Sequence, residues 1–517
     1  MTGPLTDSLR KIARGTGIAL VGTFVALLLG FVIRLIIARY GSEADYGIYS
    51  LAIVIMMFAV TLVSLGLPEG VARFIAYFRG KGETGKVKSV TAVALQLTIF
   101  ASLISGVALF FSAEYVAASF FHTPELARAL KIFAIGIPFY ALINILVSAF
   151  RGFDRMEPQA YFQYILFNAL FLLLVGAMAV LNLAFVNLFY VYVAALVLTF
   201  LALLWYTAKK LPQPIGLVGW KANAHVRKEL LAFSLPLLVT ALLAAVMLWT
   251  DTLLLGYFKT PEIVGLYNAA SPLARFIGDP MGLMLLIFTP VATGLYAQNK
   301  TFELRRSFII STKWLVSLTL PFFLVLFLFP EAVLNLFFGA AYVSAAPALR
   351  ILSLGFIISN LFGPNQSIVL AAGESGFVMW TALGAAVVSV VLNFVLIPPL
   401  GIVGAATATI FAIIVARIII GLRAYRLYKI QPMSRNLLKP IVFSIILALL
   451  FKYATYYLAT ITWWILLLFF ILYYGIYGLA IVLTRSFDHE DIALLLEIEK
   501  ISGINASPIK KVLKRFL

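Results

Sequence analysis

The chain predicts an all-α polytopic membrane protein of fourteen transmembrane helices. They fall into two parallel six-helix repeats plus two accessory helices, with the N and C termini cytoplasmic. Three observations carry this expectation. Hydrophobic residues make up 63% of the 517 residues and charged residues only 12%. Apolar stretches of about 20 residues, the length that crosses a bilayer core, recur along the whole chain. The segment from about Thr16 to Tyr206 recurs, diverged, at about Glu229 to Leu422.

The spans read as 16–38, 46–66, 89–111, 132–150, 160–181, 187–208, 229–256, 263–293, 311–329, 351–371, 377–398, 403–421, 440–459 and 463–484. Mean hydropathy is +1.05, and no segment before the C-terminal tail leaves room for a sizeable soluble domain. The first apolar run is long and carries Arg34, so it does not read as a cleavable signal. With no cysteine, disulfides and thiolate chemistry are excluded. The net charge of +18 does not imply nucleic acid, because of where it lies. Segments numbered inside carry 29 of the 39 Lys and Arg, and those outside about five. That asymmetry sets the orientation. These cations also meet anionic lipid headgroups. One inside turn, Gly373-Glu374-Ser375-Gly376, lacks a basic residue.

The repeat is readable in its joints. Tyr40-Gly41-Ser42-Glu43-Ala44-Asp45-Tyr46-Gly47-Ile48-Tyr49 answers Tyr257 to Tyr267, with Gly47 and Tyr49 on Gly265 and Tyr267. Glu114-Tyr115-Val116 answers Glu331-Ala332-Val333, and Ala129-Leu130-Lys131-Ile132 answers Ala348-Leu349-Arg350-Ile351. Six spans per copy is even, so both copies enter from the same side, and the axis relating them runs along the membrane normal. The expected organisation is a six-helix bundle over 1–208, a cytoplasmic linker over 209–228 and a second bundle over 229–422. Accessory helices 13 and 14 come next over 423–484, then an amphipathic, basic tail over 485–517. Two rocking bundles around a shared central site is a transporter's layout, not an enzyme's.

Charges inside spans are the candidate functional residues, since each costs about 2.5–3.5 kcal/mol at a helix centre. Arg275 sits near mid-depth in span 8, with Asp279 one turn on. This is either a self-contained ion pair or an anion site tuned by a carboxylate. Arg34, near the outer end of span 1, aligns at the repeat offset with Thr252, directly after Asp251. Arg34 and Asp251 are therefore expected to pair as an outer gate. Arg73 comes just after span 2, where a lipid phosphate reaches it. Lys313 and Arg417 are expected to snorkel to the cytoplasmic side, and Lys452 has no evident partner. Asn268, Asn360, Asn365 and Asn393 supply interhelical hydrogen bonds or contacts to sugar hydroxyls. Pro138, Pro236, Pro280 and Gly363-Pro364 are candidate kinks. Gly80 to Val87 imitates a phosphate-binding loop, but it lacks the final Ser or Thr and no strand precedes it. The three histidines are far apart, so no metal site is expected.

Spans 11 and 12, with the turn between them, carry a resemblance. Leu392-Asn393-Phe394-Val395-Leu396-Ile397-Pro398-Pro399-Leu400-Gly401-Ile402-Val403-Gly404-Ala405-Ala406-Thr407-Ala408-Thr409 resembles the signature of polysaccharide-type flippases. These belong to the multidrug, oligosaccharidyl-lipid and polysaccharide exporter superfamily. Tyr46-Gly47-Ile48-Tyr49, and Gly66-Leu67-Pro68 before Arg73, fit the same pattern. The resemblance implies translocation of a polyprenyl-diphosphate-linked oligosaccharide across the cytoplasmic membrane by alternating access. It also implies a central cationic cavity, with arginines of spans 1 and 8, here Arg34 and Arg275, on the diphosphate. Span 1 of drug exporters carries an acidic residue, and Thr16 to Gly41 contains none, which disfavours drug export. A membrane glycosyltransferase or ligase would need a large outer loop with paired carboxylates, which the sequence lacks. The expected partners are the lipid-linked substrate, membrane lipids and glycan biosynthesis enzymes, with no nucleic acid. No cofactor is implied, and the sequence identifies no coupling ion, H+ or Na+.

Overall fold

The structure is a computed structural model that describes residues 4–211, 224–429, 435–456 and 463–483. Every regular element among them is helical. Twelve helical stretches are long and apolar enough to cross a membrane, and they match the first twelve expected spans. Helices α16 (Arg435–Tyr456) and α17 (Trp463–Leu483) occupy the positions of the last two. The middle of the expected linker and the whole expected tail lie outside the described residues.

The chain forms two compact units, Met1–Gly265 and Leu266–Leu517. Unit 1 contains α1 (Pro4–Tyr40), α2 (Glu43–Val63), α3 (Leu67–Gly80), α4 (Thr84–Tyr115), α5 (Leu126–Gly152), α6 (Phe167–Val180), α7 (Asn187–Lys210) and α8 (Ala224–Phe258). Helix α5 packs against α2, α3, α4 and α7, and is the most buried of them. Phe133 at its centre is fully buried and meets Phe189 and Tyr192 at centroid distances of 5.5 and 5.0 Å. Helix α8 packs against α2, α3 and α4. The boundary of the compact unit therefore comes after α8, whereas the sequence repeat turns over before it.

Helix α2 starts where the sequence signals a start. Ser42 caps it reciprocally with Asp45, each side chain bonded to the other's backbone N–H. A turn later Gly47 meets the first turn of α9 (Pro261–Ala297). A Cβ on Gly47 would lie 1.8 Å from the carbonyl oxygen of Pro261. A Cβ on Gly265 would lie 2.1 Å from that of Glu43. Glu43 and Pro261 are themselves repeat equivalents, so the same atoms meet in both directions, as a duplicated motif crossing its own copy requires. The small residues let the backbones touch, which is how membrane helices associate without a hydrophobic driving force.

The helix begun at Glu43 breaks inside the membrane. Ser64, Leu65 and Gly66 separate α2 from α3, with φ of 49° at Leu65 and 68° at Gly66. A side chain at Gly66 would also strike the Ser234 carbonyl oxygen at 2.1 Å. Pro68 restarts the helix in its first turn, where its missing N–H costs nothing.

Unit 2 contains the rest of α9 with α10 (Thr301–Leu328), α11 (Pro330–Phe337), α12 (Ala346–Leu361), α13 (Asn365–Ala371), α14 (Ser375–Leu400) and α15 (Ile402–Tyr428), then α16 and α17. Helices α14 and α15 form a tight hairpin, α12 and α13 pack on α15, and α16 covers α10. Gly363-Pro364 breaks α12 from α13, as expected for a kink. The inside turn without a basic residue is closed by Glu374, which takes two bonds from Arg423 at 2.6 and 2.7 Å.

Candidate functional site

Unit 1 has an open cavity of about 500 Å³ beside the α2–α3 break. Its polar lining comes from four helices: Thr61 of α2, Glu69 of α3, Tyr140 and Asn144 of α5, and Thr240 of α8 with Trp249. The break is what opens it, since Ser64, Gly66 and Pro68 also face it. Trp249 is held edge-on by Phe58 at 5.5 Å. Before α6 the chain runs as a π-helical segment, Gln159–Leu166, against which α1 leans. Its Gln163 donates to Asn144 Oδ1 at 3.0 Å. The wider π turn brings this amide to α5, a common use of such segments at functional sites. Sequence reading missed the cavity. Thr61, Asn144 and Gln163 lie far apart in the chain, and each alone resembles an ordinary interhelical contact.

Glu69 is held by Arg151 at 2.8 Å, and the same guanidinium reaches Ser148 and the Pro68 carbonyl. Arg73 is exposed, with its guanidinium over Phe233 at 4.3 Å and Phe74 at 4.9 Å. Aromatic faces stabilise the cation there. Arg34 is exposed on α1 and acts electrostatically on Tyr46 and Tyr49. Asp251 is buried on α8, where its carboxylate accepts from the Thr252 N–H at 2.9 Å. Asp251 also takes part in a further interaction.

In unit 2, Arg275 is half-buried and Asp279 exposed, one turn apart on α9, and both take part in interactions. Between them the Ile277 carbonyl accepts from Asn360 Nδ2 at 2.7 Å, which ties this stretch of α9 to α12. The neighbouring Ser359 hydroxyl accepts from Arg417 Nε at 3.1 Å. Arg417 therefore faces α12 and does not snorkel as expected, because a hydroxyl at the same level offers a partner. Lys313 is buried at 5% exposure, which also departs from snorkelling. Asn365 is buried and donates to the Phe362 carbonyl at the α12–α13 break. The amide oxygens of Asn360 and Asn365 are buried without hydrogen-bond partners. Lys452 has a clear role. Its ammonium donates to the Leu328 carbonyl at 3.1 Å and sits over Phe329 at 4.9 Å, closing the C-terminal end of α10.

The membrane-crossing helices and the polar groups set among them define a multi-pass membrane transporter. The chain belongs to the polysaccharide biosynthesis protein family, whose pattern it matches over residues 12–296; the MatE family matches residues 236–395. A similar relative is the stage V sporulation protein B of Bacillus subtilis (strain 168). It is 24% identical over 443 residues, covering 81% of this chain and 84% of the relative. The fold is shared with solved structures. An inward-facing multidrug resistance MATE family transporter aligns with a TM-score of 0.67 at 17% identity, over 81% of this chain and 98% of the other. The lipid II flippase MurJ in an inward closed conformation aligns with a TM-score of 0.66 at 18% identity, over 89% and 97%.

Proposed function

We propose that this protein is a flippase. It moves a polyprenyl-diphosphate-linked oligosaccharide from the inner to the outer leaflet of the cytoplasmic membrane by alternating access. The observation that carries the reading is Arg275 at mid-depth in a span, within a chain of the polysaccharide biosynthesis protein family. Desolvated cations are expensive in a bilayer, and an anionic substrate repays the cost. The diphosphate binds Arg275 and Arg34, with Asp279 and Asp251 tuning them. Arg73 meets phosphate at the cytoplasmic side, and the unfilled Asn365 oxygen accepts from a substrate hydroxyl. The lipid tail stays in the bilayer. The halves are the bundles over 1–208 and 229–422, with α16 and α17 as the thirteenth and fourteenth spans. Each negative charge carried across the full field exchanges about 2.3 kcal/mol per 100 mV. The driving force is therefore the membrane potential, an H+ or Na+ gradient, or consumption of the glycan outside.

The fold shared with a lipid II flippase and the family's description support this reading. The match to the MatE family over 236–395 favours a second one, a cation-coupled multidrug exporter. Deletion separates them. A flippase mutant accumulates lipid-linked glycan on the cytoplasmic face. Normal surface glycan together with raised drug sensitivity overturns the proposal.

A further inference from the structure

We propose that the cavity of unit 1 is a carbohydrate subsite that receives a sugar of the lipid-linked substrate. This deepens the flippase reading and rests on it. Among the described residues no lysine or arginine lines the cavity, and the ionisable lining groups are the Tyr140 phenol and the Glu69 carboxylate. A diphosphate placed there would find no cation in that lining, and the nearby Arg151 guanidinium is already spent on Glu69. A neutral polyhydroxy group meets no such penalty, and a carboxylate held still by Arg151 is a strong acceptor for its hydroxyls.

Hydrogen-bonding capacity points the same way. Thr61 and Thr240 spend their hydroxyl hydrogens on the carbonyls of Met57 and Leu237, both at 2.8 Å. Their oxygens are left as acceptors. Asn144 spends its oxygen on Gln163, and its Nδ2 has no protein partner among the described residues. The lining thus offers acceptors on α2, α3 and α8 and amide donors on α5, the mixture that sugar hydroxyls, each donor and acceptor, can satisfy. Gln163 holds the Asn144 amide oxygen, so this α5 group is oriented before a ligand arrives. Trp249 supplies a flat apolar wall for the C–H face of a pyranose, and Phe58 behind it fixes the ring. A volume of about 500 Å³ lies within the range of small-ligand sites.

The test uses the full-length protein in nanodiscs and two probes: undecaprenyl diphosphate, and the same lipid carrying one N-acetylhexosamine. The wild type is expected to bind the sugar-bearing lipid about tenfold more tightly, the scale of one or two well-placed hydrogen bonds. Tyr140→Phe and Asn144→Leu should each erase most of that preference and leave affinity for the bare lipid unchanged. Tyr140→Phe removes a single oxygen and so keeps the packing. Equal affinity of the wild type for both probes overturns the subsite and leaves the diphosphate reading standing. The subsite is equally overturned if both variants lose the two affinities together. Binding of neither probe overturns the flippase reading and the subsite with it. Tight binding of ethidium that Glu69→Gln abolishes, without any sugar preference, overturns both in favour of cation export.

Discussion

In unit 1 the polar side chains around the cavity are hydroxyls, an amide and a carboxylate already held by Arg151, set beside Trp249 and aliphatic residues such as Met57, Val60 and Leu237. In unit 2 the polar groups within the spans include Arg275, Lys313 and Arg417, along with amide oxygens that lack partners. The two units therefore carry different chemistry, and α8, the first helix of the second copy, lends Thr240 and Trp249 to the cavity of unit 1. The contrast has a physical logic for an amphiphilic cargo. A charged linker needs cations in low dielectric, where they act strongly, while a neutral glycan needs many modest, directional contacts.

The sharpest way to break this contrast is at Arg275. Arg275→Ala should lower glycan-lipid translocation about 10- to 100-fold, the worth of one charge-assisted bond, with the protein still inserted. Arg275→Lys should fall between, since an ammonium lacks the guanidinium fork. Outer-leaflet accumulation of the lipid-linked glycan reads the result, and wild-type rates in both would rule out a cationic site there. Next comes the Arg34–Asp251 gate, proposed from the repeat. Arg34→Asp and Asp251→Arg should each reduce transport, and the double swap should restore part of it. Failure of rescue removes the gate.

A smaller effect tests the scaffold that both copies share. Gly47→Val and Gly265→Val should each lower the Tm of the purified protein, by about 1–3 kcal/mol of overpacking, because their added atoms meet equivalent carbonyls. Unequal costs would show that the crossing is less symmetric than its distances. The smallest effect is at the α13–α14 turn. Arg423 holds the Glu374 carboxyl below the usual carboxylate range through its hydrogen bonds, ahead of its charge. The resulting stabilisation is fully present above the ordinary carboxylate range. It is lost as pH falls through the lowered value. Glu374→Gln should flatten Tm against pH over that acidic window.

Much of the fold was legible in the chain. The spans and the break at Gly363-Pro364 arise from local composition. The candidates Arg275 and Arg34 were legible too, because an arginine among apolar residues is conspicuous. Other features were not legible, for a common reason. Asn144 and Gln163 become a site only when a π-helical segment faces α5. Arg417 reads as a snorkelling residue until Ser359 is seen at its level, and Lys452 reads as unexplained until the end of α10 is seen beneath it. The α2–α3 break was hidden because Gly66 reads as one more glycine in an apolar run.

The bilayer made the all-helical fold, the spans, the expected orientation and the duplicated motif readable from residue order. It forces each segment to be long, apolar and internally hydrogen-bonded, and it sorts cations to one side. Those constraints act along the chain, so the chain records them. What an intramembrane polar group does depends on what lies across from it. That is why the neutral cavity of unit 1, the Asn360 tie beneath Arg275 and the reciprocal contact of Gly47 with Gly265 were decided by packing.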